Sequence, residues 1–415
     1  MGNDDFCTNP TVVLLGTFDT KGTEYAYIKD RLNESGVHTI LIDSGILGEA
    51  LTAVNFSNQD VAEAAGTSIS ELVASNDRGA SITTMAQGAG IIVQRLYEEG
   101  RMNGILGLGG SGGTALITQV MRTLPIGVPK LMVSTMASGE TRPYVGATDI
   151  TMMHSVVDIA GINRISATIL TNAAGAMSGM VKIALPPLIS EKPLIGATMF
   201  GVTTPSVNVA RERLEQLGYE VLVFHATGTG GQSMESLIKD GFITASLDVT
   251  TTELADELVG GVLSAGPDRL LSAGETGIPQ VVSLGALDMV NFGPMETVPT
   301  KFKDRLLYKH NDTITLMRTT PDECTELGRS IADKLNASKG PITLFIPLQG
   351  FSIISIEGQI FYHKEADQAL IDTLKEYLDP NVVEIIQMDT DINNPKFAEA
   401  MADRLHELYQ EWISQ

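Results

Sequence analysis

Residues 104–114 read Gly-Ile-Leu-Gly-Leu-Gly-Gly-Ser-Gly-Gly-Thr. An apolar run passes straight into a glycine cluster that holds Ser111, and a helical pattern, Ala115 to Leu124, follows. Glycines at a strand-to-helix turn leave backbone N–H groups unobstructed, and the helix N-terminus behind them adds partial positive charge. That is the chemistry of gripping a phosphate or carboxylate. Gly109, Gly110, Ser111, Gly112, Gly113 and Thr114 are therefore the first candidates for binding a small anion, a nucleotide above all.

Two standard nucleotide signatures fail. Gly107 to Gly112 fits G-x-G-x-x-G, but the next strand ends Val133-Ser134-Thr135-Met136, without the acid that holds a ribose. This excludes a standard NAD site. A G-x-x-x-x-G-K-[ST] loop is absent too, because the lysine is missing. A second glycine-bounded loop supplies one: Gly16-Thr17-Phe18-Asp19-Thr20-Lys21-Gly22. Its Lys21 suits a phosphate, and Asp19 offers oxygen ligands to Mg²⁺. The alternative is an Asx-turn and helix cap at Asp19 and Thr20, with Lys21 solvated.

Other polar groups are candidates of less specific pattern. Arg142 pairs either with an anionic ligand or with Glu140. His154 and Asp158 are four apart, the spacing of one helical face. His225, Asp248, Asp288 and His310 are candidates for a catalytic or metal cluster, although no H-E-x-x-H spacing supports a metal. Gln349 and Ser352 follow a buried strand at 342–346, and 357–363 reads as a turn and short strand. Gly109 to Gly113 also fits G-x-S-x-G, with Ser111 as a nucleophile beside a later Asp and His. The surplus glycines and the organisation below weigh against that reading.

These loops need strands behind them. Thr11 to Leu15 is an apolar strand, Glu24 to Asn33 an amphipathic helix closed by Ser35-Gly36, and Val37 to Ile42 a second strand. Such a unit implies parallel strands with a right-handed crossover. Pro193 to Phe200, the helix Asn208 to Gln216 and Val221 to Phe224 repeat it, so that Asp43 and His225 hold matching positions. Gly127 to Ser134 also resembles Gly277 to Ser283. The expectation is an α/β protein with mainly parallel sheets, built from two copies of one architecture, a duplication. Residues 1–188 would bind the nucleotide, and 193–415 would end in the helix Pro395 to Ser414, packed by Trp412. Ligands of open parallel sheets bind beyond the carboxyl ends of the strands. There the loops Gly16 to Gly22, Asp43 to Gly48, Gly109 to Thr114 and Ser134 to Arg142 converge.

Composition agrees. The chain has 415 residues, too many for one ordinary core, with 43 % hydrophobic and 19 % charged residues. A net charge of −22 argues against nucleic acid and anionic membranes as partners. Two cysteines, Cys7 and Cys324, make neither a disulfide framework nor a zinc site. With a polar N-terminus and no bilayer-length apolar run, the expected location is cytoplasmic.

Together, Gly16 to Gly22, Leu108 to Thr114, Pro143 to Met152 and Gly285 to Phe292 resemble a family of uncharacterised bacterial and plant proteins. That family contains the N-terminal ATP-binding inhibitory domain of a tomato mosaic virus resistance protein. The resemblance spans essentially the whole chain. It implies two Rossmann-like subdomains, ATP as ligand and a homodimer. The nucleotide role carries over only to Gly16 to Gly22 and Gly109 to Thr114. The expected function is thus an ATP-binding protein that acts on or senses a small anionic metabolite. The alternatives are a non-catalytic, ATP-dependent dimeric module, or a hydrolase or lyase using Ser111 or the second-domain Asp and His residues.

Overall fold

The computed structural model describes residues 9–183 and 192–414. Cys7, and residues 184–191 around the boundary expected between 188 and 193, lie outside the described residues. The chain divides into two compact units, Met1–Pro187 and Leu188–Gln415.

In the first unit the order is β1 (Thr11–Gly16), α1 (Phe18–Glu34), β2 (His38–Asp43), α2 (Asn58–Ala64), α3 (Ile69–Ser75), α4 (Arg78–Glu98), β3 (Gly104–Gly109), α5 (Ser111–Met121), β4 (Lys130–Ser134), α6 (Arg142–Val145), β5 (Thr151–His154) and α7 (Arg164–Lys182). All strand pairs are parallel, in the order β2-β1-β3-β4-β5. Both faces are covered, so the central strands β1 and β3 read as nearly unbroken apolar runs. Val13 and Leu15 pack with α4 and α5 residues such as Met85, Val93 and Ile117. Val12 and Leu14 face the other way, with Tyr25, Ile28 and Leu170 from α1 and α7. The strand order reverses between β1 and β3, the switch point where ligands of such sheets bind.

The helices begin earlier than the sequence suggests. α1 starts at Phe18, not Glu24, because the carboxylate of Asp43 accepts the Phe18 N–H (3.0 Å) and caps its first turn. The expected loop shrinks to Thr17, and the helix kinks at Lys21 (φ −125°, ψ 19°). Likewise α5 takes Ser111, Gly112 and Gly113 into its first turn. His154 and Asp158 share no helical face. His154 ends β5, paired beside Ser134, and Asp158 lies in the loop that follows.

The second unit runs β6 (Leu194–Met199), α8 (Thr204–Gln216), β7 (Glu220–His225), α9 (Thr229–Lys239), β8 (Ala245–Thr250), α10 (Thr252–Val259), α11 (Ser272–Thr276), β9 (Gln280–Gly285), β10 (Met289–Phe292), β11 (Leu307–Lys309), β12 (Thr315–Arg318), α12 (Pro321–Asn336), β13 (Ile342–Pro347), α13 (Lys364–Tyr377), β14 (Val383–Met388) and α14 (Pro395–Ile413). Its parallel sheet has the order β14-β13-β9-β8-β6-β7, and β10-β12-β11 form a separate antiparallel sheet. Counting parallel strands only, its first five follow the order of the first unit. Asp43 and His225 both close second strands, opposite Gly16 and Met199. The short strand expected within 357–363 is absent. Phe361 N–H bonds back to Ile354 O, folding the segment into turns, and His363 caps α13. In α14, Trp412 packs 6.0 Å from Tyr409 between ring centroids.

Candidate functional site

A pocket of about 720 Å³ opens at the carboxyl ends of β1, β2 and β3 in the first unit. Eight of the expected residues line it: Thr17, Asp19, Thr20 and Lys21 from the start of α1, and Gly110, Ser111, Gly112 and Gly113 from the start of α5. The other four are not in its lining, and each has a packing role. A β-carbon on Gly16 would fall 1.9 Å from the Tyr25 hydroxyl, and one on Gly22 2.7 Å from Leu51 Cβ. One on Gly109 would meet the Gly113 backbone at 2.9 Å. Thr114 turns its hydroxyl to Ser134 Oγ, 2.6 Å away.

The first turn of a helix has N–H groups without intrahelical acceptors. In α5 no side chain caps them, and Gly110, Gly112 and Gly113 place no side chain over them. Arg78, the first residue of α4, lines the same pocket. Its Nη2 lies 3.6 Å from the point where a β-carbon on Gly112 would stand. Lys21 Nζ donates to Ile159 O (2.5 Å). N–H groups and a guanidinium thus meet at the start of α5, while Lys21 lines the same pocket with its ammonium on Ile159 O. Ile46, Leu72, Ile82, Met85 and Leu116 form its apolar wall.

Below the pocket, the hydroxyl of buried Tyr25 bridges the diverging strands. It donates to Leu15 O (2.5 Å) and accepts from Leu108 N–H (2.8 Å), where the β1–β3 ladder has ended at Leu15 and Gly107. At the β2 side, Asp19 Oδ2 accepts from Leu47 N–H (2.8 Å), while its buried Oδ1 has no partner. Burial pushes the Asp43 carboxyl above the usual range. The N–H groups of Gly45 and Phe18 pull it back, and the nearby charge of Asp19 adds to the rise.

Of the remaining candidates, Asp158 also lines the pocket, from the loop after β5; the others lie elsewhere. Arg142 is exposed and not among the pocket residues, and Glu140 accepts its backbone N–H (2.9 Å) rather than its guanidinium. The second glycine-rich strand end, 225–231, is filled from within. Glu253 Oε1 accepts from Gly228 N–H (2.7 Å) and Gly231 N–H (3.1 Å), and Oε2 pairs with Arg269 Nε (2.6 Å). Arg269 is fully buried and also holds Asp248 through two nitrogens, at 2.5 and 2.6 Å. Asp288 is buried against Ser352 Oγ (2.8 Å), its carboxyl raised to about 6 by burial against the pull of Arg318. His225 and His310 are exposed, and Gln349 binds Asp389. Among the described residues no group of three or more His, Cys, Asp or Glu is placed to hold a metal.

Sequence reasoning misses Arg78 and Ser81 of the pocket, while Ser44 lies in the loop Asp43 to Gly48 expected at the strand ends. The one local signal is Asp77, whose side chain caps α4 at Ala80 N–H (3.0 Å) and so marks Arg78 as a helix start.

Residues 10–186 match the N-terminal domain, and residues 192–409 the C-terminal domain, of the uncharacterised protein family UPF0261. The chain belongs to UPF0261. A UPF0261 protein of Clostridium tetani is 56 % identical over 397 residues, covering 96 % of this chain and 98 % of that protein. The ToMV resistance protein Tm-1(GCR237) of Solanum lycopersicum is 39 % identical over 424 aligned residues, 96 % of this chain but 56 % of the tomato protein. A UPF0261 protein of Brucella suis is 32 % identical over 98 % of this chain and 96 % of its own length. The family thus reaches from bacteria to a plant protein about twice as long as its matching part. No helix among the described residues is long and apolar enough to cross a membrane.

Proposed function

We propose that the first unit binds a phosphorylated nucleotide, ATP, in the pocket between β1 and β3, and that a homodimer of this chain uses it to act on or sense a small anionic metabolite. The observation that carries this reading is the uncapped, glycine-rich start of α5 facing Arg78 across the switch point. Unfilled N–H groups at a helix N-terminus favour a phosphate, and a guanidinium can hold it through two parallel bonds. The apolar wall would take the base. The family resemblance implies the same ligand. Magnesium carried on the phosphates needs only one or two carboxylates from the protein, and Asp19, with one buried oxygen free of partners, fits that need.

The contrast with the second unit supports the choice of site. Glu253 follows β8 at the position Gly112 has after β3, third beyond the strand end, and its carboxylate occupies the N–H groups at the start of α9. A serine-nucleophile reading is less well supported, because Ser111 Oγ hydrogen-bonds no histidine or lysine among the described residues.

Calorimetric titration with Mg-ATP, ADP and inorganic phosphate tests the reading. Micromolar ATP binding that weakens as phosphates are removed is the expected result. No binding of ATP to the folded protein overturns it. Turnover of bound ATP, followed by phosphate release with candidate metabolites present, separates an enzyme from a non-catalytic module.

A further inference from the structure

Asp19 and Asp43 place two carboxylates side by side at the β1 and β2 ends. Phe18 and Gly45 donate to Asp43, and Gly45 also packs on Asp19: a β-carbon there would stand 2.6 Å from the Asp19 carboxyl carbon. Two anions held this close in a half-buried corner repel; the N–H groups of Phe18, Gly45 and Leu47 offset them in part, but no cationic side chain does. Among the described residues neither is in an ion pair. Lys21 is two residues from Asp19, yet its ammonium goes to Ile159 O.

A second observation comes from the residue after Asp43. Ser44 is 3 % exposed and lines the pocket, and its hydroxyl has no hydrogen-bond partner. A buried hydroxyl without a partner costs about 1–3 kcal/mol. Asp19 Oδ1, in the same lining, has the same defect. Two buried oxygens without donors, beside a second carboxylate and facing a phosphate cradle, are acceptor-rich and short of positive charge. A hard divalent cation answers both needs, since it takes oxygen ligands only and completes its shell with phosphate oxygens and water.

We infer that Asp19 and Ser44 form a divalent-cation subsite beside the α5 cradle, with Asp43 adding negative charge behind it. The inference rests on the nucleotide reading, since the phosphates would supply the ligands that the protein does not. Asp19 Oδ1 and Ser44 Oγ face the cation, while Asp19 Oδ2 stays on Leu47 N–H and fixes the carboxylate. Arg78 and the α5 N–H groups hold the phosphate oxygens that face away from the metal.

The test is ATP titration in Mg²⁺ and in EDTA, for wild type, Asp19→Asn and Ser44→Ala. Neither substitution removes a bond that the fold uses: Asn keeps an acceptor for Leu47 N–H, and Ala deletes a hydroxyl without a partner. Wild type is expected to bind ATP at least tenfold more tightly with Mg²⁺. Both variants are expected to lose most of that gain and to keep the EDTA affinity. Electron paramagnetic resonance of Mn²⁺ with a non-hydrolysable ATP analogue should show a bound ion in wild type that is lost in Asp19→Asn. Equal wild-type affinity in EDTA, or a metal gain that survives in both variants, overturns the subsite and leaves nucleotide binding standing. No ATP binding by wild type in either condition overturns both.

Discussion

The Arg78 guanidinium and Gly112 face each other across the pocket, Nη2 lying 3.6 Å from where a Gly112 β-carbon would be. One comes from the start of α4 and the other from the start of α5, so two helix N-termini meet where the proposed phosphate would sit. A hydrogen bond to a charged group contributes about 1.5–3 kcal/mol. Arg78→Ala should therefore weaken ATP binding by about ten- to a hundredfold. Gly112→Val should abolish it, because a branched side chain would stand in the cradle. A β-carbon there meets only Ile82 Cδ1 at 3.4 Å and the mobile end of Arg78, so the fold should survive. Calorimetry together with a thermal melt checks both; unchanged affinity in Gly112→Val removes the cradle.

Tyr25 should matter to stability as well as to the site. Its hydroxyl satisfies Leu15 O and Leu108 N–H where β1 and β3 part to make the crevice. Tyr25→Phe leaves both groups buried without partners. The expected loss is about 1–3 kcal/mol for each orphaned group, read from urea unfolding. A loss below about 0.5 kcal/mol would mean that water or strand closure replaces the hydroxyl.

The glycine cradle was legible because its chemistry is local: Gly110 to Gly113 follow an apolar strand directly. The parallel sheets were legible for the same reason, since β1 and β3 are each nearly continuous apolar runs. Arg78 was not, because its reach to Gly112 depends on how α4 packs on α5, and its own neighbours read only as a turn and helix start. Ser44 was hidden inside a loop correctly placed at a strand end, its lack of a partner being a tertiary fact. The glycine-rich turn at 225–231 shows the converse. Its N–H groups are real, but Glu253, distant in sequence, already fills them. His154 and Asp158 show the limit of spacing alone, since pairing of β5 with β4 took His154 out of any helix.

Glu253 should prove a stability residue of the second unit. Its fully buried carboxylate joins the Gly228 to Gly231 turn to Arg269. Removing one partner of a buried, hydrogen-bonded ion pair typically costs about 3–5 kcal/mol. Glu253→Ala should approach that loss in urea unfolding, with Glu253→Gln losing less because it still accepts from the turn. Near-wild-type stability of Glu253→Ala would show that Asp248 and Glu235 alone satisfy the guanidinium.

Asp256 gives the fold a pH dependence of defined sign. It is fully buried in α10, where it accepts from Asn291 N–H (3.0 Å), Leu263 N–H (3.3 Å) and Asn291 Nδ2 (2.6 Å). Burial raises its carboxyl to about 7, against those hydrogen bonds and with a further push from Glu253. The folded state thus holds a proton that the unfolded chain releases near the ordinary carboxylate value. Stability from this group is full below that value and is lost as pH rises through about 7. Asp256→Asn removes the charge, and the buried Asn291 Oδ1, which has no partner, can accept from the new amide once Asn291 turns over. The variant should therefore equal or exceed wild type in stability at pH 8. Its unfolding free energy should also fall less between pH 5 and pH 8. Urea titrations at both pH values measure this, and a variant that loses stability in parallel with wild type would assign the pH dependence to Asp288 and its neighbours instead.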